Sequence, residues 1–219
     1  MHPTRYAIYY VPPEGSALAA FGSAWLGYDV ESGGAVAQQD VDGVDVAEVT
    51  AEPRRYGFHG TLKAPFALAE GVSEEALLAQ AAALAAALRA AAGPRLMLSA
   101  IAGFLALVPD GPAPEVARLA EECLRGFDAL RRPAERAAAD LTPRQRAHLA
   151  RWGYPYVLEE FRFHMTLTRR LESSERARIE PHLAARFPGA ELVIAGIALC
   201  RQQPGGAFTL WRRFSLAGA

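Results

Sequence analysis

Cysteine is scarce: the 219 residues contain two, Cys123 and Cys200. They form no Cys-x-x-Cys pair, and no Cys/His spacing matches a zinc site, so a disulfide framework or zinc module is excluded. Two scattered thiols fit a reducing cytoplasm, which is the location expected. An excess of either charge is also missing, with 23 basic against 24 acidic residues and a net charge of −1. Duplex DNA binding draws its affinity from many neutralised phosphates, so no duplex DNA partner is expected. A local basic pocket for one small phosphate stays compatible with this balance. No apolar run is long enough for a membrane span, because Gln80 and Arg89 interrupt the alanine-rich stretch 76–92. Residues 1–6 lack the apolar core of a signal peptide. No low-complexity linker divides the chain, so residues 1–219 are expected to form a single bilobal unit.

What is present alternates between strand and helix signals, with 51% hydrophobic residues. The β-branched and aromatic run Arg5 to Val11 predicts a strand that Pro12-Pro13 ends. Ser16 opens a helix to about Tyr28. Residues 31–55 read as loop with one short strand, and 57–62 as a strand. Ser73 opens a helix that Gly93-Pro94 stops. Two strands follow over 95–108, split near Ala102-Gly103. Helices are expected from Pro114 to about Leu130 and from Ala134 to Trp152, the latter with a start signal at Thr142-Pro143. A strand over 161–168, a helix from Ser173 to about Phe187 and two closing strands, 191–200 and 207–216, complete the reading. This order makes the chain α/β or α+β.

An internal echo is the most informative feature. Phe58-His59-Gly60-Thr61-Leu62 recurs as Phe163-His164-Met165-Thr166-Leu167, and the chain has only five histidines. Side chains two apart on a strand share a face. His59, Thr61 and Lys63 therefore fall on one face, with Phe58 and Leu62 opposite. Arg162, His164, Thr166 and Thr168 fall on another, with Phe161, Phe163, Met165 and Leu167 behind them. Each copy presents an imidazole, a hydroxyl and a cation on the face turned away from its core.

Phosphoester chemistry needs this set. Imidazole titrates near neutrality, so one histidine can take a proton from the attacking oxygen while another protonates the leaving oxygen. Threonine hydroxyls can donate to non-bridging oxygens, and a cation offsets transition-state charge. No HxH, HExxH or carboxylate cluster adjoins either histidine, so neither a metal nor a cofactor is expected. Lys63 and Arg162 are candidates for substrate contact, read equally well as solvated charges. Tyr6, Tyr154 and Tyr156 are candidates to stack on a base or sugar, with aromatic packing as the alternative. Arg54 and Arg55 offer a possible lip for a second phosphate or ordinary loop charges.

The two His-x-Thr motifs resemble those of the two-histidine (2H) phosphoesterase superfamily, which includes the RNA ligase-like 2′,3′-cyclic phosphodiesterases. Arg55 to Lys63, Gly103 to Leu107, Trp152 to Val157 and Phe161 to Thr168 resemble one branch in particular, often encoded in phosphonate-utilisation operons. Gly60 stands where that branch is expected to have alanine. The resemblance implies an α+β fold of two pseudo-symmetric lobes whose sheets face a central cleft, with helices outside and room for the lobes to exchange terminal strands. It implies His59, Thr61, His164 and Thr166 as the catalytic set. It further implies a small phosphorylated substrate: a 2′,3′-cyclic nucleotide, an RNA end or a ribose cyclic phosphate. A nucleotide or phosphometabolite sensor that kept the pocket without turnover is the competing reading.

Overall fold

The computed structural model describes residues 3–133 and 140–218. The elements in chain order are β1 (Arg5–Tyr10), α1 (Ala17–Leu26), β2 (Tyr28–Asp29), β3 (Gly34–Ala35), α2 (Val46–Val49), α3 (Ala51–Arg54), β4 (Gly60–Phe66), α4 (Glu74–Ala87), β5 (Ala91–Ile101), β6 (Phe104–Pro109), α5 (Pro114–Gly126), α6 (Pro143–Trp152), β7 (Met165–Thr166), α7 (Ser173–Arg186), β8 (Ala190–Ile194), β9 (Gly196–Gln202) and β10 (Phe208–Ser215). Eight strands form one sheet in the order β10-β9-β1-β4-β7-β6-β5-β8. Every ladder in it is antiparallel, which makes the fold α+β. The sheet divides into two four-stranded halves that mirror each other about the β4–β7 junction. Strands β9 and β10, from the end of the chain, complete the half that β1 begins. The two sheets expected from sequence are thus continuous, joined by the single pair Gly60↔Met165.

Local chemistry explains most boundaries. Ser16 and Ser73 accept from the backbone N–H three residues on and start α1 and α4. Thr142 and Gln145 form a capping box with Pro143 at the first position of α6. Residues 134–139 of the helix expected there lie outside the described residues. Ala102 (φ 46) and Gly103 (φ 92) form the two-residue turn between β5 and β6, both in the left-handed region that such hairpins demand.

Several expectations shift. Residues 31–55, expected as loop with one short strand, carry α2 and α3, and the strand expected over 191–200 divides at Ala195 into β8 and β9, which join opposite halves of the sheet. Helix α4 stops at Ala87, and β5 begins at Ala91 and runs through Gly93-Pro94. Proline cannot donate to a ladder, and the β5–β8 register slips between Gly93 and Leu96, where it sits. The first motif strand spans Gly60–Phe66 rather than 57–62, and the second pairs only at Met165–Thr166 rather than over 161–168.

One face of the sheet carries the large core. Tyr6, Ile8 and Tyr10 of β1 enter it with Trp25, Phe58, Leu62, Phe163, Met165 and Leu167. Burying each such side chain contributes roughly 1.5–3 kcal/mol. Helix α5 packs beneath both β4 and β5, so it spans the two halves. Trp25 of α1 donates its Nε1–H to the Leu167 carbonyl (2.8 Å), which ties the first helix to the second motif. Ala7 and Tyr9 point the other way, into a smaller cluster with Tyr28, Val30, Cys200 and Phe208.

Candidate functional site

Register brings the two motifs together. With Gly60 opposite Met165 in an antiparallel pair, the next positions set Thr61 across from His164 and His59 across from Thr166. All four belong to one face, and all four line a single cavity of about 580 Å³. A second cavity of about 520 Å³ adjoins it and shares Arg5, Thr61, Phe104, Tyr154, His164 and Arg170 with it.

The two histidines are held alike. His59 Nδ1–H donates to the Gly57 carbonyl (2.9 Å), and His164 Nδ1–H donates to the Arg162 carbonyl (2.8 Å). Each bond spans two residues and assigns the tautomer that leaves Nε2 with its lone pair. In the first motif the Thr61 hydroxyl donates to that nitrogen at 3.1 Å. Gly57 adopts φ 72, and a Cβ there would lie 2.5 Å from Val30 Cβ, so only glycine presents this carbonyl to the ring.

Loss of surrounding water pulls the His59 pKa down to about 4, assisted by His164 and partly offset by the Gly57 hydrogen bond. His59 is therefore neutral at physiological pH. Its ring stacks on Tyr9, with centroids 3.8 Å apart. Phe104 lies beside His164, tilted, with centroids 5.8 Å apart.

The remaining candidates sort differently. Tyr154 lines both cavities, and Tyr156, 47% exposed, lines the second and meets Tyr154 edge-on. Lys63, the only lysine in the chain, lies in the wall of the second cavity at 3% exposure. Its Nζ donates to the Leu124 carbonyl near the end of α5, and burial lowers its pKa to about 8. Arg162 also lines the second cavity, and its Nη1 is engaged by the Glu159 and Phe161 carbonyls. Tyr6 is a correction. It is 4% exposed, lines neither cavity and donates to Glu74 on the opposite face of β1. Arg54 is likewise a correction, since its guanidinium bonds Leu26, Gln38, Ala47 and Thr50.

Tyr9, Tyr56, Arg5, Phe104 and Arg170 line the histidine cavity and escaped the sequence reading. Period-two alternation applied to β1 separates Arg5, Ala7 and Tyr9 from Tyr6, Ile8 and Tyr10. It cannot say which set meets the cleft, because both are largely apolar. Among the described residues, no three His, Cys, Asp or Glu side chains converge to hold a metal ion. Nor is any helix there long and apolar enough to cross a membrane.

The fold and this cleft define an α+β protein with a duplicated His-x-Thr site on one sheet face. The family model that matches residues 61–209 is described as Protein of unknown function (DUF1045), and the chain belongs to that family. It is 41% identical over 232 residues to the protein named "Ribose 1,5-bisphosphate phosphokinase PhnN" of Janthinobacterium sp. (strain Marseille), covering 98% of this chain and 51% of that one. A protein of the same name from Laribacter hongkongensis (strain HLHK9) is 40% identical over 210 residues, covering 95% and 51%. The chain thus spans about half the length of the curated relatives it matches. Among solved structures, E. coli LigT complexed with 3'-AMP aligns over 99% of both chains at 14% identity and TM-score 0.46. TT0787 of Thermus thermophilus aligns over 98% of both at 18% and 0.48.

Proposed function

We propose that this chain is a metal-independent phosphoesterase of the two-histidine type, which opens or hydrolyses a small cyclic phosphodiester in the cytoplasm. The observation that supports it is the Gly60↔Met165 register, with both His-x-Thr pairs lining one cavity. In this reading His59 is the general base. It is neutral at pH 7, its Nε2 lone pair faces Thr61, and its Nδ1–H is anchored. His59 takes the proton of the attacking water or hydroxyl, and the phosphorus–oxygen bond to the leaving oxygen breaks as the new one forms. His164, anchored in the same way and entering the cycle with a second proton on Nε2 as the imidazolium, gives that proton to the leaving oxygen. Thr166 donates to a non-bridging oxygen, Thr61 does so once its hydroxyl turns from His59 Nε2 to the substrate, and Arg5 and Arg170 supply positive charge at the rim. Tyr154 and Tyr156 hold a base or sugar in the adjoining cavity, where Lys63 and Arg162 add charge to the wall. The kinase activity in the relatives' names belongs, in this reading, to the half of those proteins that this chain does not span. Lys63 sits in Thr-Leu-Lys-Ala, so the chain contains no glycine-rich phosphate loop ending in Lys-Ser/Thr.

The test is turnover of a panel with and without EDTA: 2′,3′-cyclic nucleotides, ribose 1,2-cyclic phosphate and an oligoribonucleotide ending in a cyclic phosphate. EDTA-resistant turnover lost in His59→Ala and His164→Ala is the expected result. Binding of these compounds without product would instead make the protein a sensor. Turnover that survives both substitutions would sink the reading.

A further inference from the structure

The two halves of the sheet repeat each other closely enough that a departure from the repeat carries information. Thr61 pairs with Tyr9 and Gly60 with Tyr10 across β4–β1. In the other half Thr166 pairs with Ala106 and Met165 with Leu107 across β7–β6. The position beside each motif threonine is therefore Tyr9 in one half and Ala106 in the other. Both are fully buried. The tyrosine ring lies over His59 at stacking distance, whereas the alanine at the matching position has no ring to offer the second motif. The Tyr9 hydroxyl has no hydrogen-bond partner, and it is the sole buried side-chain polar atom in that state among the described residues. An unpaired buried hydroxyl is a cost, and the contact with His59 is made by the ring alone.

We infer that Tyr9 is a positioning residue that makes the two histidines inequivalent, holding His59 dry and flat as the proton acceptor and leaving His164 to be the donor. This rests on the two-histidine reading above and extends it, because a twofold-symmetric pair alone gives no direction to proton transfer. Two effects of the ring on an imidazolium oppose each other. Its π face attracts the cation, worth about a tenfold change in proton affinity at most sites. Exclusion of water from one whole face of the imidazole acts the other way, and burial is the first cause of the His59 shift. The other groups around His59 are fixed by their own elements. Arg5 comes from β1, Glu52 from α3, and Tyr56 from the turn before the motif. Tyr154 follows α6, and His164, Arg169 and Arg170 come from the β7 side. Arg169 is neutralised by Glu48 and Glu175.

The test needs no substrate. Proton NMR titration of the histidine ring resonances, assigned with single His→Ala variants, is run on the ligand-free wild type, Tyr9→Phe and Tyr9→Leu. Leucine keeps apolar bulk in the cluster and removes the ring, so folding is preserved, and His148 and His182 report on it internally. His59 is expected to titrate well below the ordinary histidine range in the wild type and Tyr9→Phe. In Tyr9→Leu it should rise by about one unit or more, a tenfold gain in proton affinity, while His164 stays in place. A His59 titration unchanged in Tyr9→Leu, or both histidines moving together, overturns the inference. If the wild type turns over a cyclic phosphodiester, the acid limb of its kcat/KM profile moves with His59. If it turns over none, the two-histidine reading fails while the titration still decides the role of Tyr9.

Discussion

The two motifs have nearly the same sequence and anchor their histidines alike, yet their surroundings differ. Each histidine donates Nδ1–H to a carbonyl two residues back, each threonine sits across from the other half's histidine, and each phenylalanine enters the core. The difference lies one strand away, where Tyr9 in β1 corresponds to Ala106 in β6. It teaches that duplication supplied a symmetric pair of reactive groups, whereas the neighbouring strand laid an aromatic ring against one of them.

The largest effect expected from breaking this comparison is on turnover. His59→Ala and His164→Ala should each lower kcat/KM on the preferred cyclic phosphodiester by about 10²–10⁴-fold, the usual scale for a lost acid or base. Steady-state kinetics of both variants at several pH values measures this, and loss in only one would mean the halves do not share a site.

Next in size is a pH-dependent loss of stability. His59 has a folded pKa near 4 against the ordinary value of 6.5, so the unfolded chain binds its proton first. Its contribution is intact above about pH 6.5 and declines as pH falls toward 4, amounting to roughly 2–3 kcal/mol. Urea unfolding at pH 7 and pH 4 should show a smaller difference in His59→Ala than in the wild type. An equal difference would place the neutral histidine elsewhere.

A smaller effect sharpens the contact between the halves. A Cβ on Gly60 would lie 2.4 Å from Phe163 Cζ, so the first motif's middle residue makes room for the second motif's ring. Gly60→Ala should destabilise by about 1–3 kcal/mol through overpacking, read as a lower Tm. No change in Tm would show that the ring moves freely. The smallest effect concerns the other face of β1. Tyr6→Phe removes the hydrogen bond to Glu74 and should cost about 1 kcal/mol of stability with turnover unaltered. A drop in turnover would return Tyr6 to the substrate site.

Much of this was legible because its causes are local. Ser16, Ser73 and Thr142 name their helices by the bonds their hydroxyls accept, and Ala102-Gly103 names its turn by the positive φ both residues hold. The second motif's faces were readable since Phe163, Met165 and Leu167 contrast with His164 and Thr166. Strand β1 lacked that contrast. It lies between β9 and β4 with a core on either side, and its tyrosines gave no polarity signal to say whether Tyr6 or Tyr9 met the cleft. Lys63 was expected on the face of His59 and Thr61, but the register slips between Tyr9↔Thr61 and Ile8↔Lys63, which turns Lys63 to the face of Ile8, where the Leu124 carbonyl of α5, 61 residues away in sequence, engages it.

By itself, then, the sequence determined that two His-x-Thr pairs would present imidazole and hydroxyl together on strand faces, because a period of two is a property of the extended chain. Only the tertiary structure decided that these faces join through Gly60 and Met165, and that a tyrosine covers one histidine while an alanine stands beside the other. Strand pairing and desolvation are set by neighbours distant in the chain, and no local pattern encodes them.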